Sequence, residues 1–191
     1  MSENFRLIVG ITGASGAIYG LRLLQILQKL KVETHLIISP TAEVTLAHET
    51  DWKLSAVKAL ASVSYRANDM AAAISSGSFR TGGMVIAPCS MRSLGEIAGG
   101  ISSSLVTRAA DVVLKERRRL VLLVRETPLH GVHLRNMLTA DELGAIIAPP
   151  VPAFYNRPQS LDDIVDHTVG RVLDLFDIDA GIVRRWRESA G

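Results

Sequence analysis

The chain has one cysteine, Cys89, in 191 residues. No internal disulfide can form, and a reducing, cytoplasmic address is expected. Aromatic residues are scarce at 5%, so Trp52, Trp186, Phe154 and Tyr155 are each worth locating. Charge of one sign is also in short supply: 21 Lys and Arg against 19 Asp and Glu leave a formal +2. With the two signs so nearly balanced, the pI of 8.9 says little about partners. Neither charge nor basic, aromatic-rich motifs support nucleic-acid binding. No apolar run approaches the roughly 20 residues that cross a bilayer. The opening "MSENFRLIVG" lacks a basic region followed by a long apolar stretch, so no secretory leader is expected. His130 and His133 stand three apart without an acidic cluster, and no metal site is expected.

What the chain does have is alternation. Short apolar runs, "FRLIVGI" (5–11), "ETHLIIS" (33–39), "GMVIAPCS" (83–90), "RLVLLVRE" (119–126) and "GAIIAPP" (144–150), read as strands. Helical patterns lie between them at 17–30, 41–49 and from Ser102–Ser104 to about 117, with a last helix over 161–176. That last helix carries Leu161, Ile164, Val165, Thr168, Val169, Val172, Leu173 and Phe176 on one stripe, and Ser160 to Asp163 forms a capping box. Residues 51–80 are less regular: a helix near 53–61, a short strand at 62–65 and a helix around 69–74 are expected. Nearly continuous Val/Ile/Leu strands separated by helices predict a single α/β domain over residues 1–191, a doubly wound parallel sheet in three layers.

Such sheets bind ligands outside the carboxyl ends of their strands, so the residues after each strand belong together. After the first come Thr12, Gly13, Ala14, Ser15 and Gly16. This run is either an anion cradle at a helix N-terminus or a tight turn that packs the helix on the sheet. The spacing of Gly13, Gly16 and Gly20 is not that of a dinucleotide site. After the second strand comes Ser39, a cap or a contact. After the third come Ser90, Met91, Arg92 and Ser93, opening another helix with a cation beside it. Cys89 is either a nucleophile or a small buried thiol, and no histidine sits nearby in sequence to activate it. Arg125 and Glu126 follow the next strand. The segment "APPVPAFYNRP" (148–158), with four prolines, is stiff enough to hold Phe154 and Tyr155 over a pocket. "SSGSFRTGG" (75–83) is a surface loop or a flap over the site. Arg171 lies off the apolar stripe of its helix, and Lys115 in "KERRR" reads first as a helix-terminal cation.

Taken in order, "GITGASGAIYGLRLL", "ETHLIIS", "SSGSF", "PCSMRSL", "TRAADVVLKERR", "LVLLVRETPLHGVHLRNM", "PPVPAFYNRPQSLDD" and a terminal "RRW" resemble the UbiX family of flavin prenyltransferases over about residues 6–186. The resemblance implies a flavodoxin-like Rossmann domain that joins a dimethylallyl group, from dimethylallyl phosphate, to N5 and C6 of reduced FMN without a metal. It also implies a trimer-based homododecamer with sites at subunit junctions, delivering prenylated FMN to a UbiD-type decarboxylase, often in ubiquinone synthesis. By motif it assigns Gly13, Ala14, Ser15, Ser39, Ser90, Met91, Arg92, Ser93 and Arg125 to FMN. Lys115, Arg125, Tyr155 and Arg171 go to the prenyl phosphate, with Trp186 nearby. Ser15, Glu49 and Glu126 are the acidic or hydroxyl groups of the reaction centre. The cations and the Tyr155 hydroxyl suit a leaving phosphate, which ionises more readily when its charge is met by hydrogen-bond donors.

Four rival readings stand beside this one. A flavin-dependent cysteine decarboxylase needs a catalytic histidine and a Pro-x-Met-Asn-like motif, absent from "PPVPAFYNRP". An FMN-dependent decarboxylase or oxidoreductase acting alone would release carbon dioxide without a partner. A flavin carrier would need no second anion pocket. A dinucleotide-dependent reductase would want an acid after the second strand, where Ser39-Pro40 stands.

Overall fold

The computed structural model describes residues 5–183 and Arg185. Six strands form one parallel sheet: β1 (Arg6–Ile11), β2 (Glu33–Ile38), β3 (Val63–Tyr65), β4 (Gly83–Cys89), β5 (Arg119–Val124) and β6 (Ala145–Ile147). Their spatial order is β3-β2-β1-β4-β5-β6. The chain winds outward one way from β1 through β2 to β3, then returns to the other side of β1 and continues through β4 to β6. The switch point therefore lies between β1 and β4, where a doubly wound sheet opens a crevice at its carboxyl edge.

The alternation within β1 shows how the layers are filled. Leu7, Val9 and Ile11 face one side and pack with Leu21, Leu24 and Leu27 of α1 (Ala17–Lys29) and Val169, Val172 and Leu173 of α7 (Leu161–Asp174). Ile8 faces the other side and joins Met84 and Ile86 against α4 (Met91–Ala98), α5 (Leu105–Lys115) and α6 (Gly131–Glu142). Gly20 lets α1 sit flush on the sheet, since a Cβ there would fall 2.4 Å from the carbonyl oxygen of Ala87. Two shorter helices, α2 (Pro40–Glu49) and α3 (Leu54–Lys58), follow β2. No helix among the described residues is long and apolar enough to cross a membrane.

Serine opens four of the helices. Ser39, Ser90, Ser104 and Ser160 accept from the N–H of Ala42, Ser93, Thr107 and Asp163, and the last two complete capping boxes. The expected box at Ser160 and Asp163 is therefore present.

Two expectations need correction, and one helix, α6, was not among the expected elements. Residues 69–74 are turns leading into a short 3-10 turn at Ala73–Ser75, not a helix. Helix α6 carries no readable apolar stripe, because its only buried residue is Ala140 while Val132, Leu134 and Leu138 face outward. Finally, 75–83 is not a flap over the strand ends. Gly82 N–H donates to the carbonyl of Arg6, and Arg118 clamps the carbonyls of Gly77 and Phe79, which fixes the segment at the opposite, amino-terminal edge of the sheet.

Candidate active site

The sheet ladder runs one residue past β1, β2 and β5. Ser39 N–H donates to Ile11, Thr12 N–H to Pro88 and Arg125 N–H to Cys89. Ser39, Thr12, Ser90 and Arg125 thus stand in a row along the carboxyl edge. Thr12, only 1% exposed, is its staple. Its hydroxyl donates to the carbonyl of Pro88 at 2.7 Å and accepts from Ser90 N–H at 2.8 Å, locking the tip of β1 to the start of α4. Thr12 was legible in the sequence only as part of a turn.

Two cavities flank this row. One, of about 520 Å³, is lined by Thr12, Ser39, Thr41, Ser90, Ser93 and Ser104 among others. The first turns of α2, α4 and α5 meet around it, and three helix N-termini make a positive, donor-rich wall. In the first turn of α4 the N–H groups of Met91 and Arg92 have no intrahelical acceptor. Arg92 lines the same cavity, but its guanidinium is turned to Glu96 at 2.9 Å, so its charge is already met. The other cavity, about 780 Å³, is lined by Ser15, Tyr19, Glu49, Arg125, Glu126 and Pro149–Val151 with residues from the start of α7.

Glu49 changes the meaning of the glycine-rich loop. Helix α1 has no side-chain cap of its own, since Gly16 sits in the left-handed region at φ 102°. The carboxylate of Glu49, at the end of α2, accepts from Gly16 N–H at 2.8 Å and Ala17 N–H at 2.9 Å. The α1 N-terminus is indeed an anion cradle, and the anion it holds is the protein's own. Burial raises the Glu49 proton affinity. The Ser15 hydroxyl, those two N–H groups and the charge of Arg125 outweigh it and hold the carboxyl below its ordinary range. Tyr19 is pushed up by burial, opposed by Arg125. Gly13 is packed so tightly on α2 that a Cβ would lie 2.5 Å from Thr41 Oγ1.

The structure brings Gly13, Ala14, Ser15, Ser39, Ser90, Met91, Arg92, Ser93, Arg125, Glu49 and Glu126 to this edge. It does not bring three other candidates there within one chain. Lys115 ends α5 near the amino-terminal edge and pairs with Glu116. Arg171 is near the lower end of α7, bonded to Asp174 at 2.6 Å; that end is fixed to the start of β5 where Arg119 donates to the carbonyl of Leu175 and to Asp177. Tyr155 lies beside α7, its hydroxyl 3.0 Å from His167 Nε2. Trp186 lies outside the described residues. Cys89 is fully buried, and burial pushes its thiol up to about 12, which makes it a packing residue rather than a nucleophile.

Comparison with known proteins agrees with this geometry. A profile of the flavoprotein family matches residues 1–175. The flavin prenyltransferase UbiX of Escherichia coli (strain K12) is 63% identical over 174 residues, covering 91% of this chain and 92% of that protein. The solved structure of AnUbiX in complex with FMN and dimethylallyl pyrophosphate superposes with a TM-score of 0.96 at 52% identity, over 98% of this chain and 100% of that one. A dodecameric FMN-dependent UbiX-like decarboxylase from Escherichia coli O157:H7 gives 0.94 at 52% identity, over 96% and 100%. With strand-end donors, two carboxylates lining one cavity and similarity of this extent, the chain belongs to the flavoprotein family and, within it, to the flavin prenyltransferases of the UbiX type.

Proposed function

We propose that the protein transfers the dimethylallyl group of dimethylallyl phosphate to N5 and C6 of reduced FMN, the flavin lying along the row Ser39, Thr12, Ser90 and Arg125. The observation that carries this reading is the row itself, with a donor-rich cavity on one side and a cavity holding Ser15, Glu49, Arg125 and Glu126 on the other. The hydroxyls of Ser39, Ser90 and Ser93, the first-turn N–H groups of α4 and the Arg125 guanidinium form a donor set suited to a flavin and its phosphate. When bound, the reduced flavin supplies an electron-rich ring that captures an allylic carbon.

In the balanced reaction, the carbon–oxygen bond to phosphate breaks and bonds to N5 and C6 form. Each of those positions loses a proton; one returns to the alkene on ring closure and the other leaves with phosphate. Arg125 stabilises negative charge on the leaving group. Glu49 stays ionised at working pH and faces the positive charge that develops on the prenyl carbon. Ser15, hydrogen-bonded to Glu49, steers it. Glu126 and the released phosphate remain as proton acceptors.

Lys115, Tyr155 and Arg171 enter this scheme through assembly. Each is away from its own chain's strand ends, and the Escherichia coli O157:H7 homologue is dodecameric. We place them at junctions of a trimer-based homododecamer, where one subunit's cations complete another's phosphate site. The product then serves a UbiD-type decarboxylase in the cytoplasm, a compartment compatible with the reduced, buried Cys89 thiol.

The test is anaerobic incubation with reduced FMN and dimethylallyl phosphate, followed by mass analysis of the bound flavin. A flavin heavier by one isoprene unit is expected, and an unchanged mass refutes the reaction. Carbon dioxide release from an aromatic acid by the purified chain alone would instead support the solitary-decarboxylase reading.

A further inference from the structure

Tyr155 is held by a residue that neither the strand-end rule nor the resemblance singles out. The 3-10 turn at Phe154–Asn156 places the Tyr155 ring edge-on to His167 of α7, with centroids 5.7 Å apart at 84°. Tyr155 Oη is 3.0 Å from His167 Nε2. Arg171 follows His167 by four residues, so the two side chains share one face of α7. A phenol, an imidazole and a guanidinium therefore stand in sequence along one helix flank.

We propose that His167 is a positioning residue of the prenyl-phosphate site, donating from Nε2–H to Tyr155 Oη and so directing the phenol's own proton toward the phosphate beside Arg171. The proposal rests on the reading that Tyr155 and Arg171 meet that phosphate. The chemistry fixes the direction. A phenol has one proton, and if it were given to His167 the hydroxyl would turn its lone pairs to an anion. With Nε2 as the donor, Oη accepts from the histidine and the phenol's proton is the one it turns toward the phosphate.

The same arrangement makes donor binding sensitive to pH. Burial, then the charge of Arg171, lowers the proton affinity of His167, while Asp174 opposes them. Asp174 is shared with Arg185, whose guanidinium bonds it at 3.0 Å. One turn above, Asp163 is engaged with Gln159 and Ser160. A phosphate dianion arriving beside Tyr155 favours the imidazolium, so KM for the donor rises as pH climbs through the His167 titration. The donor's own second ionisation, near pH ~6, is common to every variant and cancels on comparison.

The experiment measures kcat and KM for dimethylallyl phosphate between about pH 5.5 and 8 in wild type, His167→Leu, His167→Gln and Tyr155→Phe, with FMN affinity by fluorescence titration as the check on folding. His167→Leu is expected to raise KM about tenfold with a smaller effect on kcat, as loss of an oriented charge-assisted bond does. His167→Gln, whose amide N–H donates in place of the imidazole, is expected to bring KM back to within about threefold and to remove the histidine's share of the pH dependence. If Tyr155→Phe raises KM but His167→Leu does not, or if the Gln and Leu variants match, the role of His167 is refuted while the site stands. If Tyr155→Phe leaves KM unchanged, both readings fall.

Discussion

Replacing Thr12 by valine removes a hydroxyl and almost nothing else. The side chain is isosteric and 1% exposed, so no water enters to replace it. Two hydrogen bonds go: the donation to Pro88 and the acceptance from Ser90 N–H, at 2.7 and 2.8 Å. The Pro88 carbonyl keeps a partner in Thr12 N–H, so its loss is the ordinary net value of about 1 kcal/mol. Ser90 N–H is left with no acceptor, at about 1–3 kcal/mol. The sum is about 2–4 kcal/mol, large against typical domain stabilities of about 5–15 kcal/mol. Thr12→Ser keeps both bonds and forfeits one buried methyl, about 1 kcal/mol. Urea unfolding at a fixed protein concentration, with all three chains side by side, reads these differences. Because Ser90 also opens α4 at the cavity proposed for the flavin, FMN affinity is expected to fall with Thr12→Val far more than with Thr12→Ser. A Thr12→Val protein within about 0.5 kcal/mol of wild type, the range of an unimportant surface change, would refute the staple.

Three further outcomes follow from the same geometry. Glu49→Gln keeps an acceptor for Gly16 and Ala17 but removes the charge from the α1 dipole, costing about 0.3–1 kcal/mol at neutral pH. Because the folded Glu49 binds its proton less tightly than an ordinary carboxyl near 4.5, that contribution is present above that pH and is lost as pH falls below it. The melting temperatures of wild type and Glu49→Gln should therefore converge as the pH falls below that value (read by differential scanning fluorimetry), and a gap that persisted in acid would contradict the assignment. Gly13→Ala drives a methyl into Thr41, and the loop and α2 separate at a cost of about 1–3 kcal/mol; flavin titration should show weakened FMN binding, whereas wild-type affinity would mean the loop gives freely. Asp174→Asn loosens Arg171 and Arg185 together; steady-state kinetics should show a raised KM for the prenyl donor with FMN affinity preserved, and no shift in KM would place Arg171 outside the donor site.

The sheet was legible because its strands are buried on both faces and read as unbroken apolar runs, as in "LIVGI" and "RLVLLV". Helix α6 was not, because its apolar residues Val132, Leu134 and Leu138 point away from the core and leave no stripe to count. The strand-end rule put Ser39, Ser90 and Arg125 at this edge because each follows the last residue of its strand, a local property. It missed Thr12 as a staple and could not see that Glu49 caps α1. That bond joins residues 33 apart, and nothing near either residue announces it. His167 was hidden for a similar reason, since a histidine on a helix flank has meaning only once Tyr155 is laid against it.

On the proposed reading, the placement of charge gives this chain a reason to assemble with copies of itself. A carboxylate at the α1 N-terminus suits a reaction in which carbon becomes positive, yet the leaving phosphate needs cations close by. Glu49 in the reaction cavity would pair with any lysine or second arginine free to reach it, and the two demands would cancel. Among the described residues lining the cavity that holds Glu49 and Glu126, Arg125 is the one cation, while Lys115 and Arg171 are held at a distance by Glu116 and Asp174. Keeping opposite charges on separate parts of a subunit and uniting them by assembly satisfies both demands. On this logic, diluting the protein until its oligomer dissociates should abolish prenyl transfer while FMN binding at the strand ends falls far less; equal loss of both would mean that the flavin cradle itself is built across subunits.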